Sequence, residues 1–186
     1  MEIWLARHGA TEWSRSGQHT GTTDIPLIPD GEEEARRLGK RLAGHRFGRV
    51  LSSPLGRARE TARLAGFVDV AVTDLLKETD YGEYEGRTTK EIHDDRPGWE
   101  LFVHGSPGGE TPGQIADRAD RLLDFIGEPE DDVLCFAHGH ILRAIGARYL
   151  GLEIAVAGLL RLDAGALCIL GHEHDHRAIE LWNETR

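Results

Sequence analysis

A few side chains in this sequence carry chemistry that their positions do not explain as packing. Arg7 and His8 close the apolar run "EIWLA" (2–6), where neither gains from burial. Arg57 and Arg59 follow the run "GRVLSS" (48–53), and His138 ends the nearly continuous apolar run "DDVLCFA" (131–137). In open α/β sheets, ligands gather at the carboxyl ends of strands, beside helix N-termini. If these three runs are parallel neighbouring strands, Arg7, His8, one of Arg57 and Arg59, and His138 converge on one spot. Two guanidiniums and two imidazoles suit a compact dianion, most naturally phosphate. Taken singly, each has an ordinary reading as a solvated arginine or a hydrogen-bonded core histidine. The convergence carries the case.

The elements that must position these groups alternate short apolar runs with amphipathic helical segments, the pattern of an α/β layered fold. Residues 2–6 read as the first strand and 30–44 as a helix, with Ala35, Leu38 and Leu42 at helical spacing. Acids fill its first turn and bases its later ones, as the helix dipole prefers. Residues 48–53 read as a second strand, followed by a helix with Ser53 as N-cap, Pro54 at its first position and Gly66 as its stop. Residues 68–73 form a short third strand, and 131–137 a strand covered on both faces. The helix 141–151 follows, then a closing hairpin from "AGALCIL" and "RAIELWN". Residues 79–113 are rich in Gly, Pro and charge, with one short helix expected around 88–95. Such an irregular stretch inside a compact fold is usually functional.

The 186 residues, 39% hydrophobic and 29% charged, fit one domain over 1–186. A formal net charge of −10 argues against nucleic acid or an anionic membrane as partner, since both need spread positive charge. Cys135 and Cys168 sit in apolar runs and read as buried thiols. No apolar run approaches membrane-spanning length and the N-terminus lacks a signal pattern, so the expected compartment is the cytoplasm.

The segments "ARHGATEW", "SSPLGRARETA", "KETDYGEYEG", "GGET" and "FAHGHILR", in this order, resemble the histidine phosphatase superfamily and its phosphoglycerate-mutase-like fold. Within that family, "EWSRSGQHTGTTDIPL" and "RLDAGALCIL" look closest to the sedoheptulose-1,7-bisphosphatase and acid phosphatase branch. The resemblance implies a three-layer αβα sandwich with a mostly parallel central sheet. It also implies a phosphomonoesterase for small phosphorylated metabolites, sugar (bis)phosphates among them, without metal or other cofactor.

On that resemblance His8 is the nucleophile that becomes phosphohistidine. Arg7 and His138 hold the phosphoryl oxygens, and the pattern RAxxTA selects Arg57 over Arg59. Attack needs an unprotonated nitrogen, so the other ring nitrogen of His8 should donate to a fixed backbone carbonyl. The leaving alkoxide needs a proton. "KETDYGEYEG" offers Glu78, Asp80, Glu83 and Glu85, and the family motif places the acid at Glu78. Beside a bound dianion its pKa should be raised. Ser14, Thr20, Gly21, Tyr81, Glu110 and Thr111 fall at substrate-binding positions. The chain departs from the family at Ala10, where Glu or Gln is common, and at Ser14, where Asn is common.

Two other readings compete. Cofactor-dependent phosphoglycerate mutases share these residues but carry a longer insertion where this chain has only 87–107. A non-catalytic phosphate- or metal-binding module is suggested by ten histidines and "GHEHDH" (171–176), where His172, His174 and His176 would share one strand face. Trp4 and Trp182 read as core and Trp13 as a brace beneath the RHG loop. Trp99 either caps the pocket or packs. A homodimer through an edge strand is compatible with the sequence.

Overall fold

The structure, a computed structural model, describes residues 1–128 and 130–185. At its centre is a six-stranded mixed sheet with helices on both faces. Strands β1 (Ile3–Arg7), β2 (Arg49–Ser52), β3 (Ala71–Val72) and β4 (Val133–Ala137) are parallel, while β5 (Leu167–Glu173) and β6 (His176–Glu184) add an antiparallel hairpin. The spatial order is β3-β2-β4-β1-β5-β6. Strand alternation divides the core. Ile3, Leu5, Val133 and Cys135 join the layer of α6 (Pro112–Ile126) and α7 (Gly139–Tyr149). Ala6, Leu134 and Phe136 join that of α2 (Pro29–Leu42) and α3 (Gly56–Leu64). Every residue of β4 is buried, which is why its sequence is apolar without alternation.

Several boundaries differ from the sequence reading. The N-cap of α3 is Leu55, not Ser53. Asp24 takes the capping role from a distant loop, its carboxylate accepting from Gly56 N at 2.8 Å, and Ser53 is left to meet His138. Helix α6 was not anticipated beyond residue 113. Its causes are local: Thr111 and Gln114 form a capping box, Pro112 occupies the first turn, and Ile115, Ala119, Leu122 and Ile126 make the buried stripe. The short α1 (Glu12–Ser16), capped reciprocally by Thr11 and Ser14, was also missed. The segment 79–113 holds α4 (Thr89–Asp95), as expected near 88–95, plus α5 (Leu101–His104) and a 3₁₀ turn at Gly82–Tyr84.

The histidine-rich turn does not put three rings on one face. His172 lies in β5, His176 opens β6, and His174 sits between them with φ 56°. Among the described residues no group of three or more His, Cys, Asp or Glu is placed to hold a metal ion. Among the described residues no helix is long and apolar enough to cross a membrane. Cys135 and Cys168 are buried and free. Trp4 and Trp182 are half-buried rather than core. The Trp13 ring lies close to Gly86.

Two features of this frame set the site. Arg7 pairs with Ala137 in the parallel β1–β4 ladder, and His8 N donates to Ala137 O at 3.0 Å. His8 and His138 therefore leave the sheet side by side. The loop after His8 lies hard against the first turn of α2, where a Cβ on Gly9 would stand 2.1 Å from Gly31 O. Only a residue without a side chain lets the two backbones approach this closely.

Candidate active site

At the carboxyl edge of the sheet is a cavity of about 150 Å³ whose lining includes Arg7, His8, Ser14, Thr20, Glu78 and Tyr81. The orientation of His8 is fixed by its neighbour: Nδ1 lies 2.7 Å from Gly9 O. A carbonyl only accepts, so Nδ1 carries the proton and Nε2 keeps its lone pair. Burial, then the charges of Arg57 and Arg7, pull the pKa of His8 down to about 3. The ring is therefore a neutral nitrogen base at any ordinary pH.

Behind it stands His138, with ring centroids 5.1 Å apart. Arg57 Nε donates to His138 Nδ1 at 3.1 Å. Since a guanidinium never accepts, the His138 proton is on Nε2, which meets Ser53 Oγ at 2.7 Å. Arg57 is 1% exposed, and its remaining donors reach Thr20 O, Gly21 O and Thr23 O at 2.9–3.0 Å. The expectation that all four basic groups face one open spot is corrected here. Arg7 and His8 line the cavity, while Arg57 and His138 form a buried layer beneath it. The reason is the 20–24 loop, whose carbonyls occupy the Arg57 fork. That layer still supplies positive potential under His8, and in a low-dielectric interior such a field is strong. Arg7 approaches the cavity from the other side. One Nη donates to Leu162 O, Nε finds no partner among the described residues, and the guanidinium lies against Gly139.

Glu78 is buried and accepts three backbone N–H bonds: Thr79 at 2.9 Å, and His140 and Ile141, in the first turn of α7, at 3.0 Å each. Burial pushes its carboxyl up. The hydrogen bonds from His140 outweigh this and hold it well below the usual carboxylate range. This differs from the raised pKa expected beside a dianion. The carboxylate itself satisfies the N-terminus of α7, through His140 N and Ile141 N.

The other expected contacts divide. Tyr81 lines the cavity, and its hydroxyl is 2.6 Å from His140 Nδ1. Ser14 lines it too, but its hydroxyl donates to Thr11 O and accepts from Thr11 N, so it serves the α1 cap. The Thr20 hydroxyl donates to Gln18 O. Gly21 does not line the cavity; its N–H is taken by the Glu85 carboxylate at 3.0 Å. Glu110 is paired with Arg118 and accepts from Asp80 N, bracing the 78–81 loop from outside. Thr111 caps α6.

Four lining residues, Gly17, Gln18, His19 and His140, are not among the site residues read from the sequence, and the two histidines bring ring chemistry to it. His140, on the first turn of α7, packs against the rings of Tyr81, Phe102 and His19. His19 stacks on Tyr81 at 4.8 Å, and burial followed by His140 pulls its pKa to about 3. The signal for His140 was present in "HGH", since the second histidine must fall in the first helical turn beside His138.

Four buried neutral imidazoles have a measurable consequence. Burial lowers the pKa of His138 and His140 as well, so the folded chain resists protons that the unfolded chain binds below about 6.5. Each such ring subtracts about 1.4 kcal/mol per pH unit between 6.5 and its own folded pKa. Glu78, depressed in the fold, acts in the same direction below its ordinary value of 4.5. Thermal melts from pH 8 to 4 should show Tm falling steadily below pH 6.5. A Tm that stays level to pH 4 would mean the rings are already charged in the fold.

A mixed α/β sheet that presents a neutral imidazole, tethered at one nitrogen and bare at the other, over buried guanidiniums defines a class of protein able to take an anionic electrophile onto histidine. The chain belongs to the histidine phosphatase superfamily, branch 1, whose family model matches residues 3–185. It is 38% identical over 187 residues to the acid phosphatase of Mycobacterium tuberculosis, spanning 98% of this chain and 92% of that one. It is 35% identical over 184 residues to sedoheptulose 1,7-bisphosphatase of Saccharomyces cerevisiae, spanning 81% and 68%. A solved structure of the product of a Mycobacterium tuberculosis open reading frame superposes with a TM-score of 0.95 at 37% identity, over 99% and 97% of the two chains.

Proposed function

We propose that this chain is a phosphomonoesterase that hydrolyses small phosphorylated metabolites through a phosphohistidine on His8, without a metal. The observation that carries the reading is the Nδ1–Gly9 O bond, which leaves Nε2 of a neutral ring open to the cavity. In the first step Nε2 forms a bond to phosphorus as the ester P–O bond breaks, with Arg7 beside the equatorial oxygens. The departing alkoxide takes a proton from Glu78. A substrate bound as the monoanion brings that proton, and the phosphoryl charge beside Glu78 opposes its ionisation, countering the downward pull of its hydrogen bonds. In the second step Glu78, again a carboxylate, accepts a proton from water as the water oxygen attacks phosphorus. The P–N bond breaks and the imidazole is restored.

The named relatives include an acid phosphatase and a sugar bisphosphatase, which supports a phosphate-releasing reading. Transfer rather than hydrolysis, as in a mutase, needs the phosphohistidine kept from water. The shortness of the 87–107 segment, where mutases carry a longer insertion, favours hydrolysis. The test is to mix the protein with ³²P-labelled phosphomonoester, quench without acid and digest. Label on the peptide bearing His8, with inorganic phosphate released at each turnover, is the expected result. Isomerisation of 3- to 2-phosphoglycerate with little phosphate release would replace hydrolysis by mutase chemistry. No label and no phosphate would reduce the site to a binding pocket.

A further inference from the structure

Beside the phosphoryl cavity is a second one of about 290 Å³, and His19 and His140 line both. Its buried side is aromatic and aliphatic: Trp99 is 3% exposed, Phe102 3% and Leu101 5%. At its rim stands Leu159, on the 3₁₀ segment Ile154–Leu159. This leucine is 83% exposed, among the most exposed large apolar residues described. Three polar side chains of this cavity are already committed. Trp99 Nε1 donates to Gly105 O, and His93 Nε2 is 2.8 Å from Trp99 O. Arg143 lies 5.2 Å over the Phe102 ring and donates to Ala157 O and Gly158 O.

We infer that this second cavity receives the alcohol part of the substrate, and that this part is a flat apolar or aromatic group rather than a second phosphate. The inference rests on the phosphatase reading of the neighbouring cavity and narrows its substrate class. Charge decides against a bisphosphate. The cationic side chain lining the cavity is Arg143, and Glu100 on the same wall balances it. His19 is neutral, and burial lowers the pKa of His140. A second phosphoryl group would enter a wall with no net positive charge, losing its hydration without a partner. A flat ring would meet Trp99, Phe102 and the His19–His140 face, where it exchanges water for aromatic contact. Leu159 then covers its outer side, which accounts for an aliphatic side chain held out in solvent.

The test compares kcat/KM for 2-phenylethyl phosphate, methyl phosphate and fructose 1,6-bisphosphate, three esters of ordinary alkyl alcohols. Phenylethyl phosphate should exceed each of the others at least tenfold, a spread that hydrophobic pockets of this kind deliver. Leu159→Asp should cut the ratio of phenylethyl to methyl phosphate about tenfold, and Leu159→Met should keep it. Because Leu159 is exposed, neither change threatens folding. Equal or faster turnover of the bisphosphate, or a ratio unmoved by Leu159→Asp, overturns the apolar subsite while the phosphatase reading stands. Failure to release phosphate from any of the three esters overturns both.

Discussion

Replacing His8 by Ala is expected to abolish turnover, by about four orders of magnitude or more, in a protein that still folds. The size follows from the chemistry: Nε2, left free by the Nδ1–Gly9 O bond, is the atom that forms the new bond to phosphorus. His19 and His140 are neutral too, but both sit on the wall towards the second cavity, packed among Tyr81, Phe102 and Trp99. Folding should survive because His8 closes no long-range side-chain hydrogen bond; its ring nitrogen bonds only to the next residue. Its backbone contacts, to Ala137 O and from Gly165 N, remain in the alanine variant. The loss of one depressed imidazole should even flatten the acid limb of the stability curve by about 1.4 kcal/mol per pH unit. Circular dichroism, a pH series of melts and phosphate release check the three parts together. Residual turnover above a few per cent of wild type, equivalent to roughly 2 kcal/mol of barrier, would reject covalent catalysis by His8.

Much of this site was legible because its parts are local. The strand ends at Arg7 and His138 follow from apolar runs with a fixed length, and parallel pairing of β1 with β4 then brings His8 and His138 together. The depth of the RHG loop is written in Gly9 and Gly31, although only the structure shows that the two glycines face each other. What sequence could not reveal is competition between partners. Arg57 was expected among the groups facing the phosphate. The carbonyls of residues 20, 21 and 23 capture its fork instead, and nothing in "RARETA" foretells contacts some 35 residues away. Ser53 and Asp24 illustrate the same point. A serine at the right place for a cap gave its hydroxyl to His138, and an aspartate from another loop took over. Helix α6 is a different kind of miss. Its capping box and its stripe of Ile115, Ala119, Leu122 and Ile126 are plainly readable, yet the sequence reading assigns no element between 113 and 131.

Glu78→Gln is expected to cost about 10²–10⁴ in kcat for alkyl phosphates, the usual range for a positioned proton donor. The cost should depend on the alcohol. An alkoxide is too basic to leave unprotonated, whereas 2,4-dinitrophenolate leaves without help, so the dinitrophenyl ester should lose far less in the first step. The contrast matters because Glu78 has a second occupation that a simple loss of activity would not separate from the first. Its two oxygens satisfy Thr79 N, His140 N and Ile141 N, and thereby tie the 78–81 loop to the start of α7. A glutamine keeps one acceptor oxygen and turns an amide N–H₂ towards a backbone N–H, at a penalty of about 1–3 kcal/mol. That structural effect lowers Tm and disturbs every substrate alike. Proton donation discriminates by leaving-group basicity, and it steepens the dependence of rate on alcohol pKa in the variant. Measuring kcat for a series of esters from methyl to dinitrophenyl, with a melt on each preparation, resolves the two. Parallel losses across the series would assign Glu78 to the architecture of the loop and send the search for the proton donor to the Tyr81–His140 pair beside it.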